Sequence, residues 1–193
     1  QRDGAMRDEI VVPANSVIAN DGLEPRHLAL VEPLSVGFHA VRRASVTARD
    51  TVVVLGCGMI GVGAIIGAAR MGARVIAVDT AAQKRETALF AGASDFLALT
   101  GDDLGTAIAD LTGGEGADAV IEAVGVPDTF RAAVDLAAFG GRLAYIGYCK
   151  APVAYETKFF NLKELDIFGS RNALHGDFRD AMAALRQMGD GAD

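Results

Sequence analysis

The sequence lacks the features that mark several specialised classes of protein. It contains no tryptophan and only two cysteines, Cys57 and Cys149, in 193 residues. Two cysteines are too few for a disulfide framework, and a chain of this length buries roughly 70 % of its unfolded surface without needing disulfides or metal. We expect both cysteines to be small core residues. The N-terminus carries no apolar signal region and no arginine-rich presequence, so the expected location is the cytoplasm.

Positive charge is also in short supply. The chain has 18 Lys and Arg against 25 Asp and Glu, which gives a formal net charge of −7. A chain with this excess of acid is a poor match for nucleic acid or for an anionic membrane surface, so we expect neither as a partner. The composition is otherwise that of an ordinary globular domain, with 51 % hydrophobic and 22 % charged residues. It excludes disorder, collagen and coiled coil.

From residue 50 onward, short apolar runs alternate with segments of helical periodicity. Six strands are predicted, at 52–55, 74–78, 95–98, 119–124, 142–148 and 165–168. Five helices are predicted, one from the turn after 55 to about 71 and the others at 81–91, 104–111, 128–139 and 178–188. Strands that alternate with helices of this length form βαβ units and therefore a parallel sheet. We predict an α/β fold, a doubly wound parallel sheet with strand order 3-2-1-4-5-6.

The first fifty residues are less regular. Residues 8–18 contain a β-branched run interrupted by Pro13, which favours an edge strand or an irregular strand. Pro33 is followed by Leu34, Phe38 and Val41 at helical spacing, so we predict a helix that begins at Pro33 and ends near residues 42–43.

One stretch is long and uncharged enough to suggest a membrane span. Residues 51–69 carry no charge, and Gly63 and Gly67 form the G-x-x-x-G spacing of membrane helix pairs. However, the stretch contains five glycines, and residues 52–55 form a strand-like run that Gly56 ends. A buried strand and helix of a parallel sheet have the same hydropathy, so we favour that interpretation.

A glycine motif lies within the same stretch. Gly56, Gly58 and Gly61 form G-x-G-x-x-G directly after a predicted strand, and Met59 and Ile60 open the following helix. In such a motif the first glycine permits a tight turn, the second lets a pyrophosphate approach the backbone, and the third lets the helix pack closely on the strand. The helix N-terminus then presents free N–H groups and a positive dipole end to the phosphates.

The end of the second predicted strand completes the signal. Asp79 follows Gly61 by eighteen residues, where an acidic side chain can accept hydrogen bonds from both ribose hydroxyls of an adenosine. Together these features predict a nicotinamide dinucleotide as the cofactor, and the carboxylate favours NAD. Thr80 stands where an arginine would clamp a 2′-phosphate, although Lys84 or Arg85 could swing toward such a phosphate and narrow the preference.

At this point the sequence resembles a known family, the medium-chain zinc-dependent alcohol dehydrogenases. Within that family it is most similar to the branch of sorbitol, threonine and sugar-acid dehydrogenases. Four stretches carry the resemblance: EPLSVGFHAV at 32–41, VLGCGMIG at 54–61, VIEAVG at 120–125 and KELDIFGS at 163–170. The resemblance implies a Rossmann-type cofactor domain at 36–193, preceded at 1–35 by a remnant of a GroES-like catalytic domain. Because the chain begins at Gln1 and stops at Asp193, we interpret it as a fragment of a longer protein.

The resemblance also implies roles for individual residues. Glu32 stands where this branch places an acidic residue at or near a catalytic zinc, and its alternative role is that of a polar residue before Pro33. The other zinc ligands would lie upstream of Gln1. Lys84 corresponds to a basic residue at the adenosine ribose, with a solvated helix lysine as its alternative. The remaining implied cofactor contacts are Val124, Ile146, Gly147, Ser170 and Arg171.

By the same resemblance, the parent protein would oxidise a secondary alcohol of a polyol or sugar acid by hydride transfer to NAD⁺. The fragment itself would be inactive. Two alternatives stay open, a dinucleotide-binding module or sensor without catalysis and a zinc-free quinone or enoyl reductase of the same superfamily. Members pair their last strand across a two-fold axis, so a homodimer or tetramer is expected. An exposed sheet edge at residues 165–168 would favour such pairing.

Overall fold

The computed structural model describes residues 4, 6–20 and 22–189. Its helices are α1 (Pro25–Arg43), α2 (Met59–Arg70), α3 (Arg85–Phe90), α4 (Gly101–Thr112), α5 (Pro127–Leu136), α6 (Lys158–Leu162) and α7 (His175–Met188). Its strands are β1 (Thr51–Leu55), β2 (Arg74–Val78), β3 (Asp95–Leu97), β4 (Ala117–Glu122), β5 (Ala137–Tyr145) and β6 (Asp166–Gly169). The predicted alternation of strands and helices is therefore confirmed.

The six strands form one parallel sheet in the order β3-β2-β1-β4-β5-β6, as predicted. Strand β1 lies at its centre, where Val53 pairs with Ile76 of β2 and with Val120 of β4. The β1 residues 52–54 are fully buried because both faces of the sheet are covered. One face packs against α1, α2 and α7, and the other packs against α4 and α5.

Helix α1 begins at Pro25 rather than at Pro33. Pro25 occupies the first helical turn, where its missing N–H costs nothing, and Pro33 lies inside the helix. The missing N–H of Pro33 leaves the carbonyl of Ala29 without its helical donor, and Ala29 is exposed, so water can replace that donor. Packing on α2 offsets the remaining cost. A side chain on Gly37 would overlap the backbone of Ala64, so the two helices cross in backbone contact.

Three other boundaries differ from the sequence prediction. Residues 8–18 form no strand in the part of the chain that the structure describes, and only Ala14–Ser16 make a turn of 3-10 helix. Strand β4 ends at Glu122, before Val124. The helix predicted at 128–139 is α5, which already ends at Leu136, and the pair Gly140 and Gly141 lies within β5. A Cβ on Gly141 would lie 2.8 Å from the carbonyl oxygen of Ala138, so close backbone packing explains this glycine.

The uncharged stretch is a strand and a helix, not a membrane span. It divides into β1, the glycine turn and the twelve residues of α2. Among the described residues, no helix combines the length and hydropathy that a membrane crossing requires. The interpretation as a buried βα unit is therefore confirmed.

Candidate functional site

The predicted cofactor residues lie at the ends of five strands, along one edge of the sheet. The glycine turn follows β1, Asp79 and Thr80 follow β2, Val124 follows β4, Ile146 and Gly147 follow β5, and Ser170 and Arg171 follow β6. Since the strands are parallel, all of these loops emerge at the carboxyl edge of the sheet. The chain runs outward from β1 toward β2 on one side and toward β4 on the other, which makes the β1–β4 boundary the topological switch point where doubly wound sheets bind ligands.

The three motif glycines differ in what a side chain would meet. Gly56 has φ +94°, and a Cβ there would lie 2.7 Å from the side chain of Val124. A Cβ on Gly61 would overlap the carbonyl oxygen of Gly56. Both glycines are therefore required by the fold of the turn itself. Gly58 has φ −76°, which any residue adopts, and a Cβ there would meet nothing within 4 Å.

Gly58 is also the N-cap residue of α2, and no side chain caps that helix. The first N–H groups of a helix need acceptors, and together with the helix dipole they form a site for anionic groups. The turn therefore presents the first N–H groups of α2 to an open space. That space is open because Gly58 has no side chain to fill it.

Asp79 connects the end of β2 to the glycine turn. Its Oδ2 accepts hydrogen bonds from the Cys57 N–H (2.7 Å) and the Lys84 ammonium (2.9 Å), and its Oδ1 accepts one from the Ala81 N–H (2.9 Å). Burial alone would raise the pKa of Asp79, but the two backbone N–H groups and Lys84 outweigh it and lower the pKa. The site therefore holds an ionised carboxylate, with its side chain 10 % exposed, beside the phosphate-binding turn.

Part of the arrangement around Asp79 matches what the NAD prediction requires. Thr80 is exposed and carries no positive charge. Lys84 is half-buried and paired with Asp79, and the Arg85 guanidinium donates to the Phe96 carbonyl oxygen at 3.3 Å. The two basic residues that could receive a 2′-phosphate are thus both engaged within the chain.

The loops after β4 and β5 meet through a residue that the sequence analysis did not single out. Glu122, the last residue of β4, is fully buried, and its backbone carbonyl accepts hydrogen bonds from the N–H groups of Ile146 (2.9 Å) and Gly147 (3.0 Å). Its side chain binds the loop that carries Val124. The sequence signal was a single acidic residue at the end of an otherwise apolar strand, two residues before Val124.

The other predicted contacts are placed as follows. Val124 is 47 % exposed, and Met59 at the start of α2 is also exposed, whereas Ile60 is half-buried. Ser170 is buried and donates its N–H to the Tyr145 carbonyl oxygen, while Arg171 is exposed. The structure therefore brings the loops together along one edge, and it places Arg171 at the surface beyond β6.

The described residues do not form a zinc site. Glu32 is an exposed carboxylate in the middle of α1, and the described part of the chain gathers no group of three or more His, Cys, Asp or Glu side chains that could hold a metal ion. Cys57 is buried within the glycine turn, where burial and the neighbouring Asp79 raise the pKa of its thiol to about 12. These residues alone do not fit a zinc ion, and the role of Glu32 stays a prediction.

Comparison with known proteins agrees with this geometry. A family model described as zinc-binding dehydrogenase matches residues 60–187. The L-galactonate-5-dehydrogenase of Escherichia coli is 33 % identical over 177 residues, which are 92 % of this chain and 52 % of the relative. The erythritol/L-threitol dehydrogenase of Mycolicibacterium smegmatis is 39 % identical over 171 residues, which are 86 % of this chain and 47 % of the relative.

A solved structure from Sinorhizobium meliloti, described as a zinc-binding dehydrogenase bound to NADP, is 29 % identical to this chain. The match has a TM-score of 0.76 and covers 86 % of this chain and 50 % of that one. The chain spans about half the length of the curated relatives it matches.

Proposed function

The chain belongs to the zinc-binding dehydrogenase family, and from that premise we propose that it is the cofactor domain of an enzyme that oxidises a secondary alcohol of a polyol or sugar acid. The hydride would pass to NAD⁺ bound along the carboxyl edge of the sheet. Residues 1–35 would belong to the catalytic domain and 36–193 to the cofactor domain. Glu32 would supply one acidic group at or near the zinc, and the remaining zinc ligands would come from outside the described residues.

The observation that carries this proposal is the open space at Gly58. The chain itself explains why Gly56 and Gly61 lack side chains, but nothing within 4 Å explains Gly58. A bound pyrophosphate does explain it, because its oxygens would approach the uncapped N-terminus of α2 where a Cβ would stand.

The preference for NAD rests on Asp79. An ionised carboxylate at the end of β2 accepts hydrogen bonds from two ribose hydroxyls, and it repels a 2′-phosphate. The NADP named for the Sinorhizobium meliloti structure belongs to that protein. For this chain, the lowered pKa of Asp79 and the uncharged Thr80 support NAD.

Two glycine substitutions test cofactor binding. Gly58→Ala fills the space at the turn, whereas Gly105→Ala also meets nothing within 4 Å but lies within α4, outside the glycine turn. We expect calorimetric titration to show NADH binding to the wild type and to Gly105→Ala, and none to Gly58→Ala, while the melting temperature of Gly58→Ala stays within a few degrees of the wild type. NADH binding by Gly58→Ala at wild-type affinity would contradict the proposal, as would a wild type that binds none.

Catalysis needs more than this chain provides. With no metal-binding group among the described residues, we expect the 193-residue chain to bind NAD(H) but to reduce no NAD⁺ with sorbitol, threonine or galactonate, even with zinc supplied. Turnover by the purified chain would show that it contains a complete active site. The absence of turnover in the full-length parent would instead favour a dinucleotide-binding module without catalysis.

A further inference from the structure

The proposed cofactor crevice runs along the carboxyl edge of the sheet, and the glycine turn and Asp79 lie at one half of it. A buried carboxyl group lies beneath the other half. Glu122 is 0 % exposed at the end of the central strand β4, and burying a carboxyl group is unfavourable unless hydrogen bonds replace those it made to water. The core around it is apolar, with Ile121 and Leu143 also fully buried. A polar side chain in this position therefore requires an explanation.

The side chain of Glu122 holds the loop that follows β4. Its Oε1 accepts hydrogen bonds from the N–H groups of Val124 (2.9 Å) and Gly125 (2.8 Å) and from the hydroxyl of Thr129 (2.7 Å). Three donors on one oxygen fix the peptide planes directly below the exposed side chain of Val124. Without this oxygen, the two part-buried N–H groups of the loop would lose their acceptor.

The same residue holds the loop that follows β5. Its carbonyl oxygen accepts from the N–H groups of Ile146 and Gly147, and a Cβ on Gly147 would overlap both Oε2 of Glu122 and the N–H of Gly125. Gly125 has φ +88°, and a Cβ there would lie 2.9 Å from the backbone nitrogen of Tyr148. The two loops are thus in backbone contact over the carboxyl group. Oε2 itself has no hydrogen-bond partner in the structure.

The placement of Glu122 assigns it to one half of the cofactor. Asp79 lies on the β2 side of the glycine turn, so an adenosine held there leaves the pyrophosphate at α2 and directs the other nucleotide half over β4 and β5. Val124, Ile146 and Gly147 form the edge of the sheet on that side. We propose that Glu122 is a positioning residue for the nicotinamide half of the crevice. It sets both loops under that half and touches neither cofactor nor substrate. This inference rests on the proposed NAD(H) binding.

The test compares a ligand that fills both halves of the crevice with one that fills only the adenosine half. NADH and ADP are titrated calorimetrically into the wild type, Glu122→Leu and Glu122→Gln. Glu122→Leu removes the acceptor for two part-buried N–H groups, so we expect NADH affinity to fall by about tenfold or more while ADP affinity stays within about twofold. Glu122→Gln keeps an acceptor oxygen for the same donors, and we expect it to restore most of the NADH affinity.

A matched control separates the positioning role from general stability. Asp50 is also a buried carboxylate, but it precedes β1 at the opposite edge of the sheet. Asp50→Asn is expected to lower the melting temperature without changing the affinity for either ligand. If Glu122→Leu does not fold, Thr129→Val removes one of the three donors to Oε1 and should weaken NADH alone, by roughly threefold.

The outcomes are distinct. A selective loss of NADH affinity that glutamine restores supports the inference. Equal loss of NADH and ADP, or wild-type NADH affinity in Glu122→Leu and Thr129→Val, overturns it while leaving NAD(H) binding intact. A wild type that binds neither ligand overturns the proposed function and this inference together.

Discussion

The ammonium group of Lys84 donates a 2.9 Å hydrogen bond to Oδ2 of Asp79, so the acidic group at the end of β2 is already paired before any cofactor binds. The same oxygen accepts the N–H of Cys57 in the glycine turn. The carboxylate of Asp79, which would repel a 2′-phosphate, is therefore hydrogen-bonded to the glycine turn. That turn would hold the pyrophosphate. A cation beside Asp79 reduces that repulsion, so we expect Lys84 to modulate cofactor choice.

Cofactor choice should follow these two charges. The wild type should prefer NADH over NADPH by roughly tens- to thousands-fold, since the carboxylate binds ribose hydroxyls and repels the phosphate. Asp79→Ser should remove most of this preference, whereas Lys84→Met should increase it, because the carboxylate loses its neighbouring cation. Parallel NADH and NADPH titrations measure the ratio. An unchanged ratio in Asp79→Ser would show that another group selects the cofactor.

Acid should weaken the fold through Asp50. Burial raises its pKa, but hydrogen bonds from Arg142 (2.6 Å) and from the Thr47 N–H, together with the charge of Arg142, lower it overall. A carboxyl group with a lowered folded-state pKa stabilises the protein above its unfolded value of 3.8 and loses that contribution as the pH falls through the folded-state pKa.

The corresponding variant is Asp50→Asn. At pH 7 it should reduce the free energy of unfolding by about 1–3 kcal/mol, because Arg142 loses a charge-assisted partner. Between pH 5 and the acid limit its stability should fall less steeply than that of the wild type. Urea unfolding at several pH values measures both effects, and part of the slope should persist because the pKa of Asp79 is lowered as well. Identical slopes in the two proteins would exclude Asp50 as a source of acid sensitivity.

The two thiols should differ in reactivity. Burial raises the pKa of Cys57 to about 12, so almost no thiolate exists near neutral pH, and the side chain is enclosed in the core. Cys149 is half-buried in the segment after β5, contrary to the expectation that both cysteines are core residues. At pH 8 we expect a thiol reagent to modify one group in the folded chain and two in denaturant. Cys149→Ser should show none when folded.

The edge strand β6 should pair with a second copy of the chain. It is the last strand in the sheet order, so β5 is its one neighbour among the described strands, and Ile167 on it is 40 % exposed. We expect a dimer at tens of micromolar protein by sedimentation equilibrium. Ile167→Pro should give a monomer, because proline removes an N–H from the ladder and clashes with a paired strand. A wild-type monomer under these conditions would contradict edge pairing.

The parts of the fold that were predicted correctly depend on short-range signals. The glycine turn and β1 were found because a β-branched run, a tight turn and a helix start are all local features of residues 51–61. Pro25 and Pro33 are both compatible with a helix start in sequence, and only the burial of His27 and Val31 in the folded chain explains why the helix begins at Pro25. Gly140 and Gly141 resemble a helix stop in sequence but lie within β5, where its pairing with β4 shifts register.

By itself, the sequence determined the order of the strands, the switch point between β1 and β4, and the position of Asp79 at the end of β2. It did so because the hydrophobic periodicity and the glycine positions that indicate strands, turns and helices can be recognised within a few neighbouring residues. Only the tertiary structure decided the surroundings of Glu122 and Gly58. Glu122 has donors on loops that are close together only once β4 and β5 pair. A Cβ on Gly56 or Gly61 would meet neighbouring atoms of the folded chain, whereas a Cβ on Gly58 would meet nothing within 4 Å, and this difference depends on how the chain packs around the turn.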